Sequence, residues 1–278
     1  MLAFFVITLI DNPLIIKLMT HITFYKYQGT GNDFVMIDNR SQAISRDNLS
    51  LIRQLCDRRF GIGADGLIMI ENHPEADFEM VYFNADGSMS MCGNGARCAV
   101  MFARQLKIIE NTTVFIAIDG RHSAFIKDGL VHLLMGKPGP VITRDTDRFV
   151  DTGSPHHIRF VKNLQEYDVV TLGRKIRYGV PYLQEGTNVN FVEDSGGEFS
   201  VRTYERGVED ETYSCGTGVT AVALALSSEK AYPSPIKIKT RGGQLQVSFE
   251  EKNGQFDNVY LIGPAKFVFE GIINPEIL

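Results

Sequence analysis

The stretch Met91-Cys92-Gly93-Asn94-Gly95 returns far downstream as Ser214-Cys215-Gly216-Thr217-Gly218. The flanks repeat as well. Asp77-Phe78-Glu79-Met80-Val81-Tyr82-Phe83-Asn84 leads through Ala85-Asp86-Gly87 into the first copy, and Ala99-Val100-Met101-Phe102-Ala103 follows it. Glu198-Phe199-Ser200-Val201-Arg202-Thr203-Tyr204-Glu205 leads through Arg206-Gly207 into the second, and Ala221-Val222-Ala223-Leu224-Ala225 follows. A strand, a turn, Cys-Gly-x-Gly and an apolar helix therefore occur twice. Two such halves present matched thiols to one cleft, and a matched acid/base pair is what inverting a carbon centre requires.

The chain has 278 residues, 44% of them hydrophobic, enough for a large core and for two domains. Its formal net charge of -5, with scattered basic residues, argues against nucleic acid or an acidic lipid surface as the main partner. Four cysteines are too few for a disulfide framework in a chain of this length. No CxxC pair occurs and the six histidines lack zinc-ligand spacing, so no metal is expected and free thiols in a cytoplasmic protein are. Residues 1–10 are apolar but have neither a basic flank nor a cleavage site, and Asp11-Asn12-Pro13 breaks the run too early for a membrane span. Residues 1–18 read as a start-site artefact or a loose extension ahead of Met19.

Along the chain, residues 22–27 and 34–38 alternate like strands around the turn Gln28-Gly29-Thr30-Gly31-Asn32-Asp33. A helix is expected over 45–59, from the spacing of Leu49, Ile52, Leu55 and Cys56. Gly61-Ile62-Gly63-Ala64-Asp65-Gly66 turns into a strand at 67–70, and strands dominate 112–134. Gly136-Lys137-Pro138-Gly139-Pro140 is the expected domain boundary. A strand at 188–192, a hairpin near Arg241-Gly242-Gly243 and two more strands complete the reading. The helices after the two cysteines are too apolar for a surface, so barrel-like sheets wrapped around buried helices are expected.

A cysteine at a helix start meets the positive end of the helix dipole and unpaired N–H groups, which favour thiolate. The glycines that follow let a ligand approach those N–H groups closely. A carboxylate held between two such starts gains donors as an α-proton leaves and enediolate-like charge builds up. One thiolate removes the proton while the opposite thiol supplies another. Nothing in the chain calls for a cofactor. A single Cys-Gly is ordinarily a packed small hydrophobe, but packing gives no reason to repeat Cys, both glycines and the polar turn. Cys56 and Cys98 lie inside apolar helical patterns and read as packing.

With these residues in place, the chain resembles the diaminopimelate epimerases, across about residues 22–270. The resemblance rests on Gly31-Asn32-Asp33-Phe34, Phe83-Asn84-Ala85-Asp86-Gly87-Ser88, Cys92-Gly93-Asn94-Gly95-Ala96-Arg97-Cys98, Tyr204-Glu205-Arg206-Gly207 and Cys215-Gly216-Thr217-Gly218. It implies an α+β fold of two pseudo-symmetric domains, each a mixed sheet curled around a central helix, over 19–136 (with 265–278 returning to it) and 137–264. It also implies a cofactor-independent homodimer that interconverts L,L- and meso-2,6-diaminopimelate for lysine and peptidoglycan synthesis. By the same resemblance, Cys215 accepts the proton and Cys92 donates it in the L,L to meso direction. Gly93-Asn94 and Gly216-Thr217 hold the reacting carboxylate by their backbones. Glu205 takes the reacting ammonium and Arg206 the distal carboxylate, for which a bidentate guanidinium suits better than lysine. Asn32, Asn84 and Asn188 read the rest of the substrate, although each alone is an ordinary turn residue. His156, by itself a loop or core histidine, supports proton transfer. Two positions depart from better-known members. Ser154 stands where they have Asn, and Gly66 where some have a substrate-contacting Gln.

Other readings remain at this point. A proline racemase or hydroxyproline epimerase uses the same two-thiol architecture, but a small cyclic substrate needs no arginine for a distal carboxylate. A redox or binding module would use Cys92 and Cys215 as a disulfide pair. The glycine-rich turns as phosphate cradles lack a following Gly-Lys-Ser/Thr.

Overall fold

A computed structural model of the chain describes residues 21–274. The proposed extension at 1–18, and the last four residues of the 265–278 segment, lie outside the described residues. The first half runs β1 (Ile22–Gly29), β2 (Asn32–Asp38), α1 (Leu49–Cys56), β3 (Gly66–Glu71), β4 (Phe78–Asn84), α2 (Gly93–Gln105), β5 (Thr112–Ala117), β6 (Gly120–Lys127) and β7 (Leu130–Leu134). After β8 (Ile142–Arg144) the order returns: β9 (Asp147–Asp151), β10 (Pro155–Phe160), α3 (Val169–Tyr178), β11 (Asn188–Asp194) and β12 (Phe199–Glu205). Then come β13 (Asp210–Thr212), α4 (Gly216–Lys230), β14 (Ile236–Thr240), β15 (Gly243–Lys252), β16 (Gln255–Gly263) and β17 (Lys266–Ile273).

The pairing repeats too. β2 runs parallel to β3, β3 antiparallel to β4, and β4 parallel to β5. β10, β11, β12 and β14 follow the same sequence of directions. Each parallel step needs a crossover, which α1 and α2 supply in the first half and α3 and α4 in the second. β16 pairs with β7, joining the halves into one sheet, and β17 pairs back onto β1. The fold is α+β, with mixed sheets curled around two central helices.

Those helices are the ones that follow the two cysteines. Residues 219–226 of α4 are fully buried on all sides, as a helix apolar all round must be. α2 is the centre of one core with Phe34, Ile68, Met80 and Phe115, and α4 of another with Ile158, Val201, Ile238 and Val247. The two helices meet at their N-termini. A Cβ on Gly216 would lie 3.9 Å from the Cα of Gly93 and 2.7 Å from Leu261 Cδ2, so neither half has spare room there.

Two local expectations change. α1 is shorter than 45–59. Asn48 caps it by accepting from the Leu51 N–H at 3.2 Å, and the Asp57 carboxylate takes the Arg59 and Phe60 N–H groups at 2.7 Å, turning the chain out of the helix. α3 was not anticipated. Asp168 caps it through the Thr171 N–H at 3.1 Å, and its place between β10 and β11 matches that of α1 between β2 and β3. Its glycine has a packing reason. A Cβ on Gly173 would lie 2.4 Å from Cβ of the fully buried Tyr204. Gly173→Ala is therefore expected to destabilise the protein by roughly 1–3 kcal/mol through overpacking, even though alanine is the better helix former. A urea-unfolding midpoint equal to or above that of the wild type would contradict this packing account.

Candidate active site

Cys92 and Cys215 are the N-cap residues of α2 and α4, with similar extended backbones (φ -134°, ψ 117° and φ -114°, ψ 111°). Both sulfurs open into one cleft of about 1290 Å³. Asn32, Asn84 and Gly93 line it from the first half. Ser154, Asn188, Glu205, Arg206 and Thr217 line it from the second. Gly216, Asn94 and His156 stand behind that wall.

The two sulfurs have opposite hydrogen-bond surroundings. Cys92 Sγ donates to Asn32 Oδ1 at 3.4 Å. The Asn32 amide cannot flip, because its Nδ2 donates at 2.5 Å to an Asp65 carboxylate oxygen, which only accepts. Asp65 is itself held by Arg58 at 2.7 Å. Cys215 Sγ instead lies 3.5 Å from the Thr217 hydroxyl. Behind it, Ser154 Oγ donates to Thr217 Oγ1 at 3.2 Å and meets His156 Nε2 at 3.0 Å.

Burial, the larger effect, pushes both thiols above the ordinary cysteine value. The helix start, from which a lowered value was expected, works against this and is outweighed. For Cys92 the counteracting donors are the N–H groups of Gly95 and Asn94. For Cys215 they are the Thr217 hydroxyl and the Gly218 N–H. Glu205 faces both sulfurs and adds to the upward push. Its own carboxyl is raised by burial, against a 2.8 Å hydrogen bond from Thr212 Oγ1. His156 is fully buried and its pKa falls to about 3, first through burial and then through the charge of Arg206, so the ring is neutral.

The polar residues of the second half brace one another. Asn188 Oδ1 accepts from the Arg206 N–H at 2.8 Å, and its Nδ2 donates to Pro155 O at 3.1 Å. The Arg206 guanidinium bonds to Glu185 O at 2.9 Å. In the first half, Asn84 Oδ1 accepts from the Tyr82 hydroxyl at 2.8 Å while Nδ2 donates to Ser88 and Ser90. Tyr82 also accounts for Gly66. A Cβ there would lie 2.5 Å from the Tyr82 ring and 2.4 Å from Phe83 O, so the tyrosine fills the space a side chain at 66 would need.

Sequence reasoning missed a buried polar tie between the halves. Asn94 Nδ2 donates to Ser214 O at 2.9 Å, and Thr30 Oγ1 lies 3.1 Å from Ser214 Oγ. The fully buried Arg97 donates to Asn94 Oδ1 at 3.0 Å and Thr30 Oγ1 at 3.1 Å, with longer contacts to Gly93 O and Pro264 O. An arginine at 97, on the buried face of the helix among Ala96, Cys98, Ala99 and Val100, was the available signal. Asn190 was missed as well, and there the signal was its position two residues after Asn188, on the same strand face. Among the described residues no group of three or more His, Cys, Asp or Glu is placed to hold a metal ion.

The diaminopimelate epimerase family model matches residues 24–138 and 148–268. A diaminopimelate epimerase of Flavobacterium psychrophilum is 55% identical over 90% of this chain and 99% of its own length. One from Chlorobaculum tepidum is 42% identical over 88% and 98%. Among solved structures, a PhzF-family phenazine biosynthesis protein of Bacillus anthracis superposes with a TM-score of 0.71 at 12% identity, covering 91% of this chain and 99% of that one. A hydroxyproline epimerase of Agrobacterium vitis, bound to trans-4-hydroxy-L-proline, gives 0.63 at 14%, over 91% and 92%. These two distant structures share the fold; the close relatives share the sequence as well. The chain belongs to the diaminopimelate epimerase family.

Proposed function

We infer that this protein is an isomerase that interconverts L,L- and meso-2,6-diaminopimelate with two cysteines and no cofactor, in lysine and peptidoglycan precursor synthesis. One observation carries the inference: two cysteines, each capping a buried helix, face one cleft that also holds Glu205 and Arg206.

In the L,L to meso direction, Cys215 takes the α-proton and Cys92 returns one to the opposite face. The polarity around the sulfurs supports this division. Cys92 faces an acceptor and so keeps its proton, while Cys215 faces a hydroxyl able to donate to a thiolate. The reacting carboxylate lies over the backbone N–H groups of Gly93-Asn94 and Gly216-Thr217, which strengthen their hold as enediolate charge grows. Glu205 takes the reacting ammonium. Arg206 takes the distal carboxylate, with Asn32, Asn84 and Asn188 placing the chain between them. Ser154 acts at the Cys215 side of the cleft, and His156 supports that sulfur through it.

The distal arginine separates this reading from a proline racemase or hydroxyproline epimerase. We also propose a homodimer. β17 leaves Phe267, Val268, Phe269 and Ile272 exposed, and an edge strand with such a surface favours a covering partner. Free thiols at all four cysteines suit a reducing compartment, and we place the enzyme in the cytoplasm. No helix among the described residues is long and apolar enough to cross a membrane.

With L,L-diaminopimelate in deuterium oxide and no added cofactor, the protein is expected to exchange the α-proton and form the meso isomer. Exchange on proline alone would replace the substrate assignment. Cys92→Ala and Cys215→Ala should each lower turnover by roughly 10²–10⁴-fold or more, as when one member of a coupled acid/base pair is lost. Full activity in either variant would favour a redox or binding role for the thiols.

A further inference from the structure

The hydrogen bonds behind Cys215 run in one direction only. Asn190 is fully buried, and its Nδ2 donates to the His157 carbonyl oxygen at 3.0 Å, which fixes the amide orientation because a carbonyl cannot donate. The other hydrogen of that nitrogen points to His156 Nδ1 at 3.2 Å. Nδ1 is therefore the acceptor of a neutral ring, and the ring proton sits on Nε2, which donates to Ser154 Oγ. Ser154 Oγ also accepts from Asn188 Nδ2 at 3.4 Å, so its own proton goes to Thr217 Oγ1. The Thr217 hydroxyl, thus occupied as an acceptor, has its proton left for Cys215 Sγ. Thr152 Oγ1 pins the Thr217 backbone by donating to its carbonyl at 2.9 Å.

We propose that Asn190, His156, Ser154 and Thr217 form a one-way line of donors ending on Cys215, with Ser154 and Thr217 as positioning residues that stabilise its thiolate. This deepens the two-thiol reading and rests on it. No proton leaves the line; each donor turns its existing hydrogen bond toward the growing negative charge and polarises the next. The need for such a device is electrostatic. Burial, Glu205 on β12 and the neighbouring Cys92 all oppose ionisation of Cys215, while the Thr217 hydroxyl and the Gly218 N–H favour it. Burial, and after it the charge of Arg206 just beyond β12, keeps the His156 ring neutral. Among the described residues Cys92 has no equivalent line; its side-chain partner is the Asn32 carbonyl oxygen.

The test is site-resolved alkylation by iodoacetamide as a function of pH, read by mass spectrometry on the Cys92 and Cys215 peptides. Thr217→Val should raise the pH midpoint for Cys215 by about one unit, a tenfold loss of thiolate at a given pH, and leave the Cys92 midpoint in place. Ser154→Ala should move it the same way by less, and Thr217→Ser should keep the wild-type value. The low-pH limb of kcat/KM should follow the Cys215 midpoint. An unchanged Cys215 midpoint in Thr217→Val, an equal shift at both cysteines, or Thr217→Ser behaving like Thr217→Val would each overturn the proposal. Wild-type protein that fails to epimerise L,L-diaminopimelate would instead overturn the functional reading, while the alkylation profiles would still decide on the line of donors.

Discussion

A buried guanidinium, with no carboxylate partner among the described residues, ties the centre of this molecule together. Every hydrogen bond of Arg97 goes to a neutral oxygen, on Thr30, Gly93, Asn94 or Pro264. Burial draws its pKa down, and a guanidinium nevertheless stays charged in a protein. A cation taken out of water at such expense needs all its donors satisfied. Satisfying them orients Asn94, whose other end reaches the Ser214 carbonyl immediately before Cys215. The position of one helix start is thereby set against the other through buried residues.

That constraint explains why small residues surround the tie. A Cβ on Gly29 would lie 2.9 Å from Asn94 O and 3.5 Å from an Arg97 nitrogen, and one on Gly263 would lie 3.1 Å from Arg97 Nε. The glycines allow strands from both halves to close over the guanidinium. Burial of the two thiols raises both their pKa values.

Duplication supplied two equivalent frames, yet the chemistry depends on where they differ. Each half has a cysteine capping a central helix. Around Cys92 the first half places an asparagine oxygen locked by Asp65 and Arg58; around Cys215 the second places hydroxyls backed by a neutral histidine. A symmetric pair of sulfurs has no preference about which is acid and which is base. Here the neighbours of the two sulfurs are unequal.

The amino-acid order alone determined the halves, the central helices and the thiol pair, because these are local patterns: a repeated motif, alternation of period two, and apolar runs too long for a surface. Through the family resemblance it also pointed to Glu205, Arg206, Asn32 and Asn84, which lie in motifs whose members are close in the chain, and to Asn188, which lies outside them. α3 went unread although Val169, Leu172 and Ile176 recur at helical spacing, much as the apolar residues of its duplicate α1 do. Tertiary structure alone decided the hydrogen-bond polarity at each sulfur, the Tyr82 ring over Gly66 and the tie through Arg97. Each of these depends on residues the fold brings together, such as Asn32 with Cys92, Ser154 with Thr217, Gly66 with Tyr82 and Asn94 with Ser214. Desolvation likewise belongs to the folded molecule, and it reversed the acidity that a helix start by itself implies.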